Sequence, residues 1–127
     1  IANGESKITE TIFENRMNHI YLLNEMGARI KLNKNVAHIK GVKTINGMNL
    51  VGSDLRSSAA LIIAGIIAKG SSKIYGLEHL DRGYENFELK LKNLGVKIIR
   101  EISKNTFEEN GYKIESKSEN FSKLEAA

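Results

Sequence analysis

The hydrophobic pattern of the chain switches repeatedly between the two-residue period of strands and the longer period of helices. Short segments that alternate or are rich in β-branched residues predict strands. The predicted strands are residues 6–11, 28–32, 36–40, 48–52, 72–77, 97–102 and 112–115. Residues 33–35 between two of them are typical of a hairpin turn. The pattern therefore predicts a mixed α/β protein.

Three segments carry apolar residues at helical spacing. Residues 15–26 and 83–94 each place an apolar side chain about once per turn on one face. The third predicted helix begins after Ser53 or Asp54, either of which can cap it, and runs to about Ala68. Its middle, residues 61–67, is apolar nearly all round. Such a helix must be covered on most sides, so we expect it to lie against sheets.

A segment of the sequence occurs twice. Gly4 and Arg16 in the first copy are each 66 residues before Gly70 and Arg82 in the second. Such a repeat indicates one supersecondary unit packed on its own copy. We predict half of a βαβαββ unit (βαββ) in residues 1–47 and a complete βαβαββ unit in residues 48–115. The polar tail, residues 116–127, is predicted to be disordered.

Composition narrows the class of protein. The chain has 127 residues, enough for one domain, and no cysteine, which excludes disulfides, thiolate metal sites and a cysteine nucleophile within it. No apolar run reaches about 18 residues, so no transmembrane helix is predicted. The three histidines lack ligand spacing, so no metal site is predicted. A starting methionine and a secretory signal are both missing, and we expect the chain to begin inside a longer, cytoplasmic polypeptide.

Three arginines, Arg16, Arg56 and Arg82, stand near predicted helix starts. A cation is unfavourable there because it meets the positive end of the helix dipole. Guanidinium groups match carboxylate and phosphate in a two-pronged geometry, so the three could bind a small, highly charged anion. The alternative is that each pairs with a nearby acid: Glu14 for Arg16, Asp54 for Arg56, and Asp81 or Glu85 for Arg82.

The net charge of +4 also permits a second class of function, a non-catalytic binding or assembly module. The aromatic residues show no clustered stacking pattern, which disfavours a nucleic-acid partner. Glu85 and Glu88 are predicted to be solvent-facing charges on the last helix. No membrane partner is expected.

Three strings carry a resemblance to a known family. They are ITETIFENRM at residues 8–17, DLRSSAAL at residues 54–61 and HLDRGYE at residues 79–85. Together they resemble the C-terminal part of the enolpyruvyl transferase family, over roughly residues 1–101. The first and third strings are similar to the branch that acts on UDP-N-acetylglucosamine, more than to the branch that makes enolpyruvylshikimate phosphate.

The resemblance implies a fold and a reaction. The fold is an inside-out α/β barrel of βαβαββ units with buried helices, of which this chain would hold about one and a half. The reaction transfers the enolpyruvyl group of phosphoenolpyruvate to the 3′-hydroxyl of UDP-N-acetylglucosamine and releases phosphate, in the first committed step of peptidoglycan synthesis. No cofactor is expected.

The resemblance also implies roles for five residues. Arg16 and Arg56 would hold the phosphoenolpyruvate carboxylate. Arg82 would contact the phosphate, respond to domain closure and take part in catalysis. Ile12 and Phe13 would lie along UDP-N-acetylglucosamine.

Several functional residues of the family have no match in this sequence. The family's loop cysteine, its lysine–asparagine pair and its general-base aspartate belong upstream and match no residue here. The chain alone is therefore predicted to be inactive, and the N-terminal part of the enzyme is an expected partner. Half a repeat unit leaves apolar surface open, so self-association is also expected. Residues 105–127 have no counterpart in the resemblance.

Overall fold

The computed structural model describes residues 1–12, 17–101 and 111–115. Their elements, in chain order, are β1 (Glu5–Thr9), α1 (Ile20–Glu25), β2 (Arg29–Asn33), β3 (Val36–Lys40), β4 (Asn49–Val51), α2 (Leu55–Ile67), β5 (Ser71–Tyr75), α3 (Leu77–Gly83), α4 (Phe87–Asn93), β6 (Lys97–Glu101) and β7 (Gly111–Glu115). The predicted mixed α/β class is confirmed.

The first sheet is antiparallel and has the strand order β1-β3-β2. Strands β2 and β3 form the predicted hairpin, with Asn33 paired to Val36. The turn places Lys34 at a φ of 55°, in the left-handed region. Helix α1 packs against β2 and against α2.

The second sheet has the order β4-β5-β7-β6. Strands β4 and β5 are parallel, because α2 crosses between them, whereas β7 is antiparallel to both of its neighbours. Strand β5 alternates along its length: Ser72 and Ile74 are buried, and the residues between them are more exposed. The described strands therefore form two open sheets, and no closed barrel is seen among them.

Helix α2 lies at the centre of the core. Its Leu61 and Ile62 are fully buried and pack with Ile74 of β5 and Ile114 of β7. The helix also contacts α3. It is not covered on every side, since the Ile63 side chain is 57% exposed. The described residues therefore cover α2 only in part, although the sequence predicted that it would be covered on most sides.

The region after β5 differs from the prediction. The predicted strand 72–77 ends at Tyr75, because Gly76 has a φ of 81° and turns the chain into α3. The predicted helix 83–94 begins only at Phe87, after Asn86 at a φ of 50°. Leu94, expected on its apolar face, is 81% exposed. The left-handed residues Gly76 and Asn86 therefore end β5 early and give two short helices, α3 and α4, where the sequence predicted one long helix.

Some of the predicted elements lie partly or wholly outside the described residues. The helix predicted from residue 15 begins at Ile20 in the structure, after a turn at residues 17–19. Residues 13–16, residues 102–110 and the tail 116–127 lie outside the described part of the chain. No helix within the described ranges is long and apolar enough to cross a bilayer.

Candidate functional site

The start of α2 is fixed by a capping arrangement. The Asp54 side chain accepts a hydrogen bond of 2.8 Å from the Ser57 amide, and the Ser53 amide donates one of 3.1 Å to the Ser57 hydroxyl. The first contact satisfies an amide that the first helical turn would leave unpaired, and the second ties the preceding loop to that turn. Arg56, the second residue of the helix, is exposed at this end.

Two glycines bring the loops after β4 and β5 together. The Gly52 amide donates a hydrogen bond of 3.0 Å to the Tyr75 carbonyl. A Cβ at Gly76 would lie 2.5 Å from the Gly52 carbonyl oxygen, so only glycine permits this approach. Because β4 and β5 are parallel, their carboxyl ends meet here, and α2 and α3 start from neighbouring points.

Arg82 lies in the last turn of α3, not at a helix start. The expectation that it opposes a helix dipole is therefore wrong, since a cation at the carboxyl end of a helix is favourable. The next residue, Gly83, packs against α2: a Cβ there would lie 2.6 Å from both Cδ atoms of Leu55. Leu55 and Gly83 therefore touch each other. Arg56 follows Leu55 in the sequence and Arg82 precedes Gly83, so both arginines flank this contact.

The local ion pairs that could have explained these arginines do not form. Within residues 1–12, 17–101 and 111–115, neither Arg56 nor Arg82 makes an ion pair or a side-chain hydrogen bond. Asp54 caps α2, and Asp81 pairs with Arg100. Two exposed cations on adjoining elements are therefore available to an anion.

The other predicted site residues are described only in part. Ile12 is 75% exposed, and its amide donates a hydrogen bond of 3.0 Å to the Glu10 carboxylate. Phe13 and Arg16 lie outside the described residues.

The turn before α1 contains His19. Burial lowers the pKa of the His19 imidazole, and the Asp54 carboxylate opposes part of that shift. The turn that follows the undescribed segment thus lies near the start of α2.

A charged network joins α3 and α4 to the second sheet. Arg100 of β6 donates two hydrogen bonds to the Asp81 carboxylate, at 3.0 and 2.5 Å. Its guanidinium group also lies 3.8 Å from a Glu88 carboxylate oxygen. The Tyr112 hydroxyl of β7 donates a hydrogen bond of 2.6 Å to Glu88. Glu88 is therefore not the purely solvent-facing charge that the sequence predicted.

The contacts in this network shift the pKa values of Glu88, Tyr112 and Arg100. The Tyr112 hydrogen bond holds the pKa of the Glu88 carboxyl below its ordinary value. Burial, reinforced by the bond to Glu88, raises the pKa of the Tyr112 hydroxyl. The bond to Asp81 raises the pKa of Arg100. At neutral pH these shifts keep Glu88 negatively charged, Arg100 positively charged and Tyr112 neutral.

The arrangement suits anion binding more than metal chemistry. In the described part of the chain, no three His, Asp or Glu side chains are grouped so that they could hold a metal ion. The exposed guanidinium groups of Arg56 and Arg82 instead offer donors in the planar geometry that carboxylate and phosphate groups accept.

Comparison with known proteins gives consistent results. A sequence model of the EPSP synthase (3-phosphoshikimate 1-carboxyvinyltransferase) family matches residues 1–91. A UDP-N-acetylglucosamine 1-carboxyvinyltransferase of Prochlorococcus marinus (strain AS9601) is 96% identical over the whole chain. The chain spans 28% of the length of that curated relative.

Solved structures agree on the fold. The enolpyruvyl transferase NikO from Streptomyces tendae superposes with a TM-score of 0.68 and 29% identity, over 74% of this chain and 22% of NikO. The EPSP synthase from Acinetobacter baumannii gives a TM-score of 0.66 over 91% of this chain and 26% of the synthase. Its 16% identity supports the fold alone. The family resemblance drawn from the three sequence strings is confirmed: the chain belongs to the EPSP synthase family of enolpyruvyl transferases.

Proposed function

We propose that this chain is part of an enzyme that transfers the enolpyruvyl group of phosphoenolpyruvate to the 3′-hydroxyl of UDP-N-acetylglucosamine, with release of phosphate. The observation that carries the proposal is the pair Arg56 and Arg82. They flank one contact between α2 and α3, and the acid nearest to each in the sequence, Asp54 or Asp81, is engaged elsewhere. The 96% identical relative bears the name of that transferase.

The chemistry suits arginine. Phosphoenolpyruvate carries a carboxylate and a phosphate, and the reaction passes through a tetrahedral intermediate that keeps both. Arg16 and Arg56 would hold the carboxylate, and Arg82 would bind the phosphate as the catalytic contact. Fixed cations stabilise a shift of charge without having to reorient during the reaction. Holding the two substrates side by side lowers the remaining entropic cost.

The sugar nucleotide would lie along Ile12 and Phe13. The exposure of Ile12 fits this role, because an apolar side chain that is open in the free protein can cover the planar uracil ring or the apolar C–H face of a sugar. No cofactor is needed for this chemistry.

The finer architecture also belongs to the proposal. Residues 1–47 would be the second half of one βαβαββ unit, residues 48–115 a complete unit, and residues 116–127 a tail. The central place of α2 against the second sheet fits the inside-out barrel, in which helices lie inside and sheets outside. The enzyme would act in the cytoplasm, at the first committed step of peptidoglycan synthesis.

The rest of the enzyme is the proposed partner of an apolar surface that we name the Ile63 surface. It comprises Ala60, Ile63 and Ile67 of α2 together with Ile30 and Ile39 of the first sheet. The chain spans only 28% of its relative, so most of that enzyme is available to cover this surface. Alone, the chain would self-associate through it and would show no turnover. A clean monomer at high concentration in sedimentation, or phosphate release by the chain alone, would contradict these two statements.

The shikimate branch is the second candidate, because the matching family model carries its name. Both branches use phosphoenolpyruvate, so Arg56 and Arg82 do not separate them. The acceptor does: the UDP-sugar branch requires UDP-N-acetylglucosamine, and the other requires shikimate 3-phosphate.

An amide NMR titration of the chain at low salt tests the proposal. The ligands are phosphoenolpyruvate, UDP-N-acetylglucosamine and shikimate 3-phosphate, with inorganic sulfate as the control anion. We expect shifts near Arg56 and Arg82 that saturate with phosphoenolpyruvate and exceed those with sulfate. The variant Arg56→Gln should weaken them, whereas Arg29→Gln, which removes another exposed arginine on the first sheet, should not. Equal shifts with every anion would show that this chain has no selective half-site.

A further inference from the structure

We propose that Arg100 is a positioning residue for the anion site at Arg82: it neutralises the adjacent Asp81 carboxylate, which would otherwise compete for Arg82 and repel the substrate. The inference rests on the proposed function, because it takes phosphoenolpyruvate as the anion. Neither the family strings nor the arginine pattern in the sequence pointed to Arg100.

The contacts show how Arg100 is committed to Asp81. Both oxygens of the carboxylate accept a hydrogen bond from the guanidinium group, which leaves that carboxylate little freedom to turn toward Arg82. The guanidinium carbon lies 5.9 Å from the centroid of the buried Tyr112 ring. A Glu88 carboxylate oxygen lies 3.8 Å from the same guanidinium group. Arg100 is therefore held by three elements and cannot easily leave Asp81.

The position of Asp81 makes this neutralisation matter. It precedes Arg82 directly in the last turn of α3. Without Arg100, two carboxylates, Asp81 and Glu88, would remain near the end of α3 with no cation bound to them in the described part of the chain. A negative field there opposes the binding of phosphoenolpyruvate, and an unbound Asp81 side chain becomes a local competitor for Arg82.

A purely mechanical role is the competing explanation. Arg100 could serve only to tie α3 to β6, without any electrostatic effect on the site. The two roles differ at Asp81. If the tie matters, replacing Asp81 with Asn harms the site as much as replacing Arg100 does. If the charge matters, Asp81→Asn is mild and it also rescues the loss of Arg100.

The test uses a complete enzyme: the 96% identical Prochlorococcus marinus transferase in which these 127 residues replace the matching segment. Phosphate release gives kcat and KM for each substrate. We expect Arg100→Gln to raise the KM for phosphoenolpyruvate about tenfold, the size expected for one unit charge acting over roughly 10 Å near a protein surface. The KM for UDP-N-acetylglucosamine should change by less than about twofold, since the sugar lies outside that field.

Three further variants complete the test. Asp81→Asn alone, and Asp81→Asn combined with Arg100→Gln, should each stay within about threefold of the parent KM for phosphoenolpyruvate, because neither leaves an unpaired Asp81 charge. Arg100→Lys, which keeps the charge, should do the same. If Asp81→Asn is as harmful as Arg100→Gln and gives no rescue, the proposal is overturned and the mechanical role holds. Equal changes in both KM values would also overturn it.

Arg82→Gln separates this inference from the proposed function. If it leaves the KM for phosphoenolpyruvate unchanged, or if the parent enzyme shows no turnover, the proposed function itself fails. If Arg82→Gln weakens phosphoenolpyruvate binding while Arg100→Gln does not, only the inference about Arg100 fails. Melting temperatures of all variants show whether a loss comes from unfolding.

Discussion

The substitution Tyr112→Phe removes one hydroxyl group from the charged network and leaves the buried ring in place. Tyr112 is 1% exposed, and its hydroxyl donates the 2.6 Å hydrogen bond to Glu88. A hydrogen bond to a charged group contributes about 1.5–3 kcal/mol to stability. The Glu88 side chain is 26% exposed, so water can partly replace the lost donor. We therefore expect the free energy of unfolding to fall by about 1.5 kcal/mol, the lower end of that range.

Urea unfolding followed by circular dichroism measures this loss. With a slope of roughly 1.5 kcal/mol per molar urea, the midpoint should fall by about 1 M. Tyr21→Phe is the matched control, because it removes the same group from a side chain that is 62% exposed and has no hydrogen bond within the described residues. A surface change of this kind should alter stability by less than about 0.5 kcal/mol.

The pH dependence gives a second test of the same contact. The Tyr112 hydrogen bond is the main cause that lowers the pKa of the Glu88 carboxyl from its ordinary 4.5. A carboxyl group with a lowered pKa adds stability above its unfolded-state pKa, and this stability is lost as pH falls through the folded-state value. The difference between parent and Tyr112→Phe should therefore be large at about pH 7 and shrink toward about pH 3. An equal difference at both pH values would refute the assigned role of the contact.

Substitutions at three other positions test the contacts that hold α2 and its neighbouring strands in place. Asp54→Ala removes the cap on the Ser57 amide and should cost about 1 kcal/mol in urea unfolding, whereas Asp54→Asn, which can still cap, should cost much less. Ser72→Ala should be neutral or stabilising by up to about 1 kcal/mol, since the buried Ser72 hydroxyl has no hydrogen-bond partner in the described part of the chain; a large loss would reveal one. Gly52→Ala would place a methyl group 2.0 Å from the Ser58 hydroxyl oxygen and should lower the melting temperature through a loss of about 1–3 kcal/mol; an unchanged melting temperature would contradict this packing.

The parts of the fold that depend on local patterns could be predicted from the sequence. Helix α2 combines a long apolar segment with an Asp54 cap and a glycine soon after its end, and its predicted bounds differ little from those observed. The hairpin of β2 and β3 follows from two alternating segments and a polar turn. In both cases neighbouring residues supply the information.

Helix α3 could not be predicted in the same way. It is only seven residues long, and its start depends on the close approach of Gly76 to Gly52, two loops that are distant in sequence. The strand assigned to residues 72–77 was therefore too long. The same error placed Arg82 before a helix instead of at the end of one.

The charged network was missed for a related reason. Arg100 is 19 residues from Asp81, and Tyr112 is 24 residues from Glu88, so no local spacing connects them. Arg56 and Arg82 were singled out by their place near predicted helix starts and again by the family strings, and the structure adds that Asp54 and Asp81 are engaged elsewhere.

The position of β7 has a consequence for the order of folding during synthesis. This strand is the last described element in the chain, yet it lies between β5 and β6 and supplies the buried Tyr112 and Ile114. On the ribosome, β5 and β6 emerge before the strand that joins them. The second sheet can therefore close only after residue 115 has left the exit tunnel, and until then the exposed edges of β5 and β6 are open to pairing with other chains. A pause in translation after β6 has left the tunnel and before β7 has left it would prolong the state most prone to aggregation.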